Sequence, residues 1–180
     1  MRISFFWPWL TGVLVVVDQI TKIAADRILT PNIENTWLPL INITLAYNPG
    51  AAFSFLDDAG GWQRWLFTGL SLGVSVFLIR WLIQLRDSQR WLSIALALIL
   101  SGAIGNVIDR IFYGHVIDFI DFYYPTSSGC LPLFMKQGPT CHWPTFNVAD
   151  SAISVGAMLM IALMLFGKYP EHENSESNAL

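Results

Sequence analysis

Residues Trp91 to Arg110 read WLSIALALILSGAIGNVIDR, with no charge until the last two positions. About 20 mostly apolar residues, rising 1.5 Å each, cross the roughly 30 Å of hydrocarbon in a bilayer. The polar groups of the stretch gather at one end. Asn106, Asp109 and Arg110 stand three and four apart, so one helical face can present all of them. The stretch predicts a spanning helix that ends in ionisable groups, and three more windows share its length and character. They run from Phe5 to Ala25 (FFWPWLTGVLVVVDQITKIAA), from Trp62 to Leu85, and from Asn147 to Gly167 (NVADSAISVGAMLMIALMLFG). Lipid offers no partner to an open backbone, so all four must be helices, and four short spans cannot close a barrel.

Composition agrees. Of 180 residues, 10 are Lys or Arg and 13 are Asp or Glu, which makes 13% charged. A soluble domain carries roughly 25%. Eight Trp and twelve Phe, with 54% hydrophobic residues and a mean hydropathy of +0.50, exceed what a water-soluble core this small can hide. The same numbers exclude an intrinsically disordered chain. A net charge of -3 without a Lys/Arg cluster excludes binding to nucleic acid through its phosphates. Two Cys cannot build a disulfide-dense secreted scaffold. Arg2 before an apolar run resembles a cleaved leader, but no A-x-A site follows, and Asp18 and Lys22 lie inside the window. An uncleaved first span is the simpler reading.

The expected organisation is one membrane domain over residues 1–168 and a disordered cytoplasmic tail over 169–180. Arg2, Arg80, Arg86, Arg90 and Lys168 place both termini and the turn between the second and third spans in the cytoplasm. Trp7, Trp9, Trp62, Trp65, Trp81 and Trp91 fit interfacial belts, or simply face lipid. Two longer segments lie on the outer side. In the first, TWLPLINITLAYN reads as short strands broken at Pro39 and ended by Asn48-Pro49-Gly50. AAFSFLDDA then reads as a short surface helix. The second segment runs from Ile111 to Phe146.

A charge at the bilayer centre costs roughly 2.5–3.5 kcal/mol on insertion scales, so ionisable groups in spans are functional candidates. Here they cluster at the outer helix ends. Asp18 and Lys22, four apart on one face, read as a structural ion pair more readily than as reacting groups. Asn48 either shapes a turn or lines a site, with Gly50 leaving room for close backbone approach. Arg110 either snorkels to the interface or faces a pocket. Asn147 can cap the fourth span, and Asp150 can be a carboxylate at that helix N-terminus. Asp118 in GHVIDF sits just beyond the third span among Val116, Ile117 and Phe119.

Other chemistries lack their residues. His115, His142 and His172 lie outside the spans, and no Ser stands in a G-x-S-x-G elbow. No H-E-x-x-H, Cys/His ligand set, P-loop or G-x-G-x-x-G is present, so no metal site or cofactor is expected. His115 with Asp118 lacks a third ligand. A carboxylate pair remains. Two carboxyls about 3 Å apart share one proton; the ionised member activates water and the protonated one donates to a peptide carbonyl. Asp118 and Asp150 are the best such pair.

Five blocks now add up to a family. They are D-Q-I-T-K (Asp18–Lys22), N-P-G-A-A-F-S-F (Asn48–Phe55), G-A-I-G-N-V-I-D-R (Gly102–Arg110), G-H-V-I-D-F (Gly114–Phe119) and F-N-V-A-D (Phe146–Asp150). In this order across four spans they resemble the lipoprotein signal peptidase family, signal peptidase II, the bacterial aspartic peptidases of lipoprotein maturation. The resemblance implies a membrane all-α fold of four transmembrane helices with a small periplasmic β-cradle and a short surface helix. It implies Asp118 and Asp150 as the catalytic dyad, Asn48, Asn106, Arg110 and Asn147 as substrate-binding residues, and Asp18, Lys22 and Gly50 as support. The implied activity removes the signal peptide from diacylglyceryl-modified prolipoproteins, cutting before the lipidated Cys, in the inner membrane with the site on the periplasmic side. Inhibition by globomycin, membrane lipid as a partner and a monomeric state are further expectations. The stretch Ala51 to Ala59 would cover the site.

One departure is the long connection PTSSGCLPLFMKQGPTCHWPTF between the two Asp. Cys130 and Cys141 bracket its middle and are expected to form a disulfide on the oxidising side, the alternative being two free thiols. Two other classes compete for the whole chain. A small transporter or ion-pathway subunit would use the charges as a relay, but it wants a repeat and midplane charges. A structural subunit of a larger complex would pair them with another chain.

Overall fold

The computed structural model describes residues 6–49, 61–125 and 140–166. Four long helices form α1 (Phe6–Ile28), α2 (Trp62–Gln84), α3 (Arg90–Phe112) and α4 (Val148–Phe166). All four are long and apolar enough to cross a membrane. Their ends lie within three residues of the expected windows. The largest difference is at α1, which runs on past Ala25 to Ile28. Nothing interrupts it before Thr30-Pro31, and a residue preceding proline leaves the helical region.

α3 is the central helix. Ala95, Leu96, Ala97 and Leu100 are almost wholly buried. Small residues on α3 let its neighbours approach. A Cβ on Gly102 would strike the Ala149 carbonyl oxygen of α4, and one on Gly105 would come 2.5 Å from Asp18 Oδ2 of α1. Gly156 of α4 serves the reverse contact, where a Cβ would lie 2.7 Å from the Ala95 carbonyl oxygen. Interhelical association in lipid depends on such close packing, because hydrocarbon removes the hydrophobic drive. The other three helices turn large apolar side chains outward: Val13, Val17 and Ile20 of α1, Leu66, Leu70 and Phe77 of α2, Met158, Ile161 and Met164 of α4. Water does not tolerate an apolar exterior this large, and acyl chains do. Trp9, Trp62, Trp65 and Trp91 are exposed at helix ends, as belt residues should be. Trp7 and Trp81 are not: both pack against the Leu78, Leu82, Leu96 and Leu100 cluster.

The two outer segments combine in one antiparallel sheet, ordered β1 (Asn35–Leu38), β2 (Ile41–Asn48), β3 (Val116–Pro125) and β4 (Thr140–His142). The expected break at Pro39 is the β1–β2 turn, with Leu40 at φ 70. The sheet is larger than a cradle built from the first segment alone. VIDFIDFYYP carries the β-branched and aromatic residues of a strand and becomes the long β3, central in the sheet with β2. The all-α description therefore holds for the spanning part only. Asn42 pairs with Asp121 and Ala46 with Asp118, and a bulge in β2 separates the two stretches of pairing. Such an irregularity re-aims side chains and adds twist. The expected surface helix, Gly50, Cys130 and the tail lie outside the described residues.

Candidate active site

α4 begins with a reciprocal cap. Asn147 Oδ1 accepts from the Asp150 backbone N–H at 2.9 Å, and Asp150 Oδ2 accepts from the Asn147 N–H at 3.2 Å. The sequence F-N-V-A-D thus spells a capping box, with Asp in the place usually held by Glu or Gln. The same Asn147 reaches across to the sheet. Its Nδ2 donates to Asp118 Oδ1 at 2.7 Å, to the Ile117 carbonyl at 3.2 Å and to Asn106 Oδ1 at 3.2 Å. One fully buried asparagine therefore touches both carboxylates and ties α4, β3 and α3 together.

Each carboxylate has one further amide. Asn48 Nδ2, at the end of β2, donates to Asp118 Oδ2 at 3.1 Å. Asn106 Nδ2, on α3, donates to Asp150 Oδ1 at 2.8 Å. Asp118 is only 1% exposed, and its carboxyl is pushed up to about 7. Burial is the main cause, followed by the neighbouring Asp150 charge, against the hydrogen bonds from Asn48 and Asn147 and the Lys22 charge. A carboxyl so placed is still partly protonated near neutral pH.

Beneath the pair lies a charged layer with almost no water access. Lys22 Nζ is 2.8 Å from Asp18 Oδ2, 2.8 Å from Asp109 Oδ2 and 3.0 Å from Asn106 Oδ1. Asp18 Oδ1 accepts from the Ala149 N–H in the first turn of α4 at 2.8 Å. Asp109 Oδ2 accepts from the Ile117 N–H at the start of β3 at 3.2 Å. Gln19 Nε2 completes the layer, donating to Asp109 Oδ1 at 2.9 Å. Asp18 and Lys22 form the ion pair their spacing suggests, and Asp109 makes it a triad. Asp109 shares a helical face with Asn106 and Arg110 in the sequence, but no local spacing assigns it this part. Gln19 was missed, since a neutral Gln inside D-Q-I-T-K carries no signal of its own.

Arg110 is half-buried against the Phe67 ring, 5.8 Å from its centroid, and its Nε has no hydrogen-bond partner among the described residues. Its electrostatic partners are Asp150, Asp118 and Asp109. An open groove of about 730 Å³ runs beside the pair, lined by Leu40, Phe122, Trp143, Phe146 and Val155 with Asp150 on its wall. His115 packs against Tyr47 with centroids 4.5 Å apart and ring planes tilted by 57°. Cys141 is fully buried and is not a free thiol.

A family model described as Signal peptidase (SPase) II, Peptidase_A8, matches residues 10–166. The lipoprotein signal peptidase of Burkholderia mallei (strain SAVP1) is 49% identical over 156 residues, covering 86% of this chain and 85% of that one. The lipoprotein signal peptidase of Cupriavidus necator is 48% identical over 155 residues, covering 86% of this chain and 80% of that one. A solved bacterial membrane enzyme, determined in meso at 2.3 Å, superposes with a TM-score of 0.73 at 25% identity, covering 100% of this chain and 99% of that one. A second such enzyme, at 1.9 Å, gives 0.72 at 26% identity over 93% of this chain. The chain belongs to the signal peptidase II family, the aspartic peptidases of Peptidase_A8.

Proposed function

We propose that Asp118 and Asp150 are the catalytic dyad with which this lipoprotein signal peptidase hydrolyses the peptide bond before the lipidated Cys of diacylglyceryl-modified prolipoproteins. The observation that carries the reading is that one buried residue, Asn147, hydrogen-bonds both carboxylates, Asp118 through its side-chain amide and Asp150 through its backbone N–H. The pair holds one proton. It sits on Asp118, where burial favours the neutral form. Asp150 serves as the ionised member, standing at a helix N-terminus and accepting from two N–H groups. Asp150 takes a proton from water as the oxygen attacks the scissile carbonyl, and Asp118 gives its own to the carbonyl oxygen; as the C–N bond then breaks, Asp150 passes its proton to the leaving nitrogen and Asp118 recovers one from the diol hydroxyl, which leaves a carboxylic acid, an amine and the original pair. No covalent enzyme intermediate forms. Acid–base assistance of this kind contributes roughly 10²–10⁴-fold.

Asn48, Asn106, Arg110 and Asn147 hold the substrate backbone and its lipid-bearing residue, and Asp18, Lys22 and Gly50 support them. What supports this for Arg110 is its electrostatic contact with Asp150 and Asp118 and an Nε without a partner among the described residues. The apolar groove next to Asp150 receives the hydrophobic signal segment from the bilayer, so the acyl chains remain in lipid. The site faces the periplasm across the inner membrane, both termini are cytoplasmic, and Cys130 is the disulfide partner of Cys141. A single chain carries every group the reaction needs, so the monomer is active, and a globomycin-type peptide competes for the same groove.

The test uses purified protein and a lipid-modified precursor in H₂¹⁸O. We expect one ¹⁸O in the carboxylate of the released signal peptide and an unmodified enzyme mass in quenched reactions. A signal-peptide adduct on the enzyme, or cleavage elsewhere than before the lipidated Cys, would contradict the reading.

A further inference from the structure

Away from the dyad, Glu34, Asp121 and His142 converge from three separate segments: the residue before β1, the middle of β3 and the end of β4. One ligand atom from each lies within 4.8 Å of the others. The register explains the meeting. Asp121 pairs across the ladder with Asn42, and Tyr123, two residues on and so on the same face as Asp121, pairs with His142. Asp118 stands three residues from Asp121, on the alternate face, which keeps this cluster apart from the dyad.

Four details give the cluster the character of a ligand set. His142 Nδ1 lies 3.0 Å from each Asp121 carboxylate oxygen. Two donors bound tetrahedrally to one cation at roughly 2.0–2.1 Å are about 3.3–3.4 Å apart, so this contact need open only a few tenths of an ångström to admit one. The other ring nitrogen, Nε2, hydrogen-bonds Thr140 Oγ1 at 2.8 Å, and Thr44 Oγ1 donates to Asp121 Oδ2 at 3.3 Å. Outer hydrogen bonds of this sort orient metal-binding His and carboxylates. Asn42 is 2% exposed, its Nδ2 lies 3.5 Å from Glu34 Oε2, and its Oδ1 has no hydrogen-bond partner among the described residues. A buried amide oxygen without a donor is costly, and rotating the amide presents it to the space between Glu34 and Asp121. Glu34 is 57% exposed, so a cation can arrive from water.

We propose that Glu34, Asp121 and His142, with Asn42 Oδ1 as a neutral fourth donor, form a binding site for a divalent transition cation. The imidazole disfavours Mg²⁺ and Ca²⁺, and the mixed N/O set suits Zn²⁺ or Co²⁺. Two carboxylates balance the cation's charge. The bound ion joins the start of β1 to β3 and β4, and so braces the strand that carries Asp118. The competing occupant of the same space is a proton on His142, which would leave an ordinary ion pair with Asp121 and Glu34.

The experiment takes the full chain in detergent, stripped with a chelator, and titrates Zn²⁺ by calorimetry at pH 7.5. Co²⁺ is followed in parallel by visible absorption. The site predicts one equivalent of Zn²⁺ bound with micromolar or tighter affinity, a higher melting temperature with Zn²⁺, and cobalt d–d bands without thiolate charge transfer. Glu34→Gln, at an exposed position, weakens binding at least tenfold, as does His142→Gln. Asp118→Asn with Asp150→Asn leaves binding unchanged. The proposal is overturned if the wild-type chain takes up no stoichiometric Zn²⁺, if Glu34→Gln binds as tightly as wild type, or if the double Asp variant loses the ion.

Discussion

Leu78, Leu82, Leu96 and Leu100 fill one end of the helical bundle, while Asp18, Lys22, Asn106 and Asp109 fill the other. Both fillings are almost fully buried and both surround α3, yet they are held by different forces. The leucine end is non-directional: any side chains of the right volume and shape would serve, because only dispersion and the absence of voids matter. The charged end is directional. Each carboxylate oxygen of Asp18 and Asp109 has a donor, and the bonds run to the first residues of α4 and β3. Those are the elements that carry Asp150 and Asp118. The charged layer therefore sets where the dyad stands, and the leucine layer only holds the helices together.

Substitutions can break this contrast. Lys22→Met leaves two buried carboxylates facing each other without a cation. Removing one partner of a buried ion pair costs about 3–5 kcal/mol. We expect that loss in detergent unfolding, and cleavage lost with it, because α4 and β3 lose their common anchor. Leu100→Ala at the other end costs about 2–4 kcal/mol through the cavity it leaves. Cleavage per folded molecule should stay near wild type; a loss as deep as that of Lys22→Met would erase the distinction between the two ends. Gly105→Ala probes their junction. Its Cβ would meet Asp18 Oδ2 at 2.5 Å and the Ala149 Cβ at 3.2 Å, so α1 and α4 must shift. Overpacking of this kind costs about 1–3 kcal/mol, and activity should fall more than stability does.

The smallest effect is on pH. The Asp118 carboxyl titrates at about 7 in the folded protein, above its ordinary 3.8. The folded state thus holds this proton more tightly than the unfolded chain. The associated stability is fully present below pH 4 and is lost as pH rises to about 7. The rate should decline over the upper part of that window, as the pair loses its shared proton. The Asn48 hydrogen bond holds the value down, so Asn48→Ala should move the decline to higher pH. A pH–rate profile of both proteins checks this, and a shift to lower pH would contradict it.

The same two regions explain what was legible in the sequence. Spans stand out because lipid demands about 20 apolar residues in a row. Asp18, Lys22, Asp109 and Asp150 stand out because they interrupt such runs. Asn147 was legible as a cap, since F-N-V-A-D places it three residues before an acid. That Asn147 also holds Asp118 was not, because the contact joins residues 29 apart through a sheet pairing. β3 was less legible, because Asp118 and Asp121 interrupt the Val116, Ile117, Phe119, Ile120, Phe122 and Tyr123 that signal a strand. The Glu34, Asp121 and His142 cluster was invisible for the reason that made Asn147's second role invisible. Neither has a local spacing motif, and only the register of β2, β3 and β4 brings the residues together.

The most direct test of the two-carboxylate site is cleavage of a lipid-modified precursor by Asp118→Asn and by Asp150→Asn, each checked for an unchanged circular dichroism spectrum. An amide in either place cannot exchange the shared proton, so each variant should lose roughly 10²–10⁴ in rate. Processing by either one within tenfold of wild type would show that hydrolysis does not run through this pair.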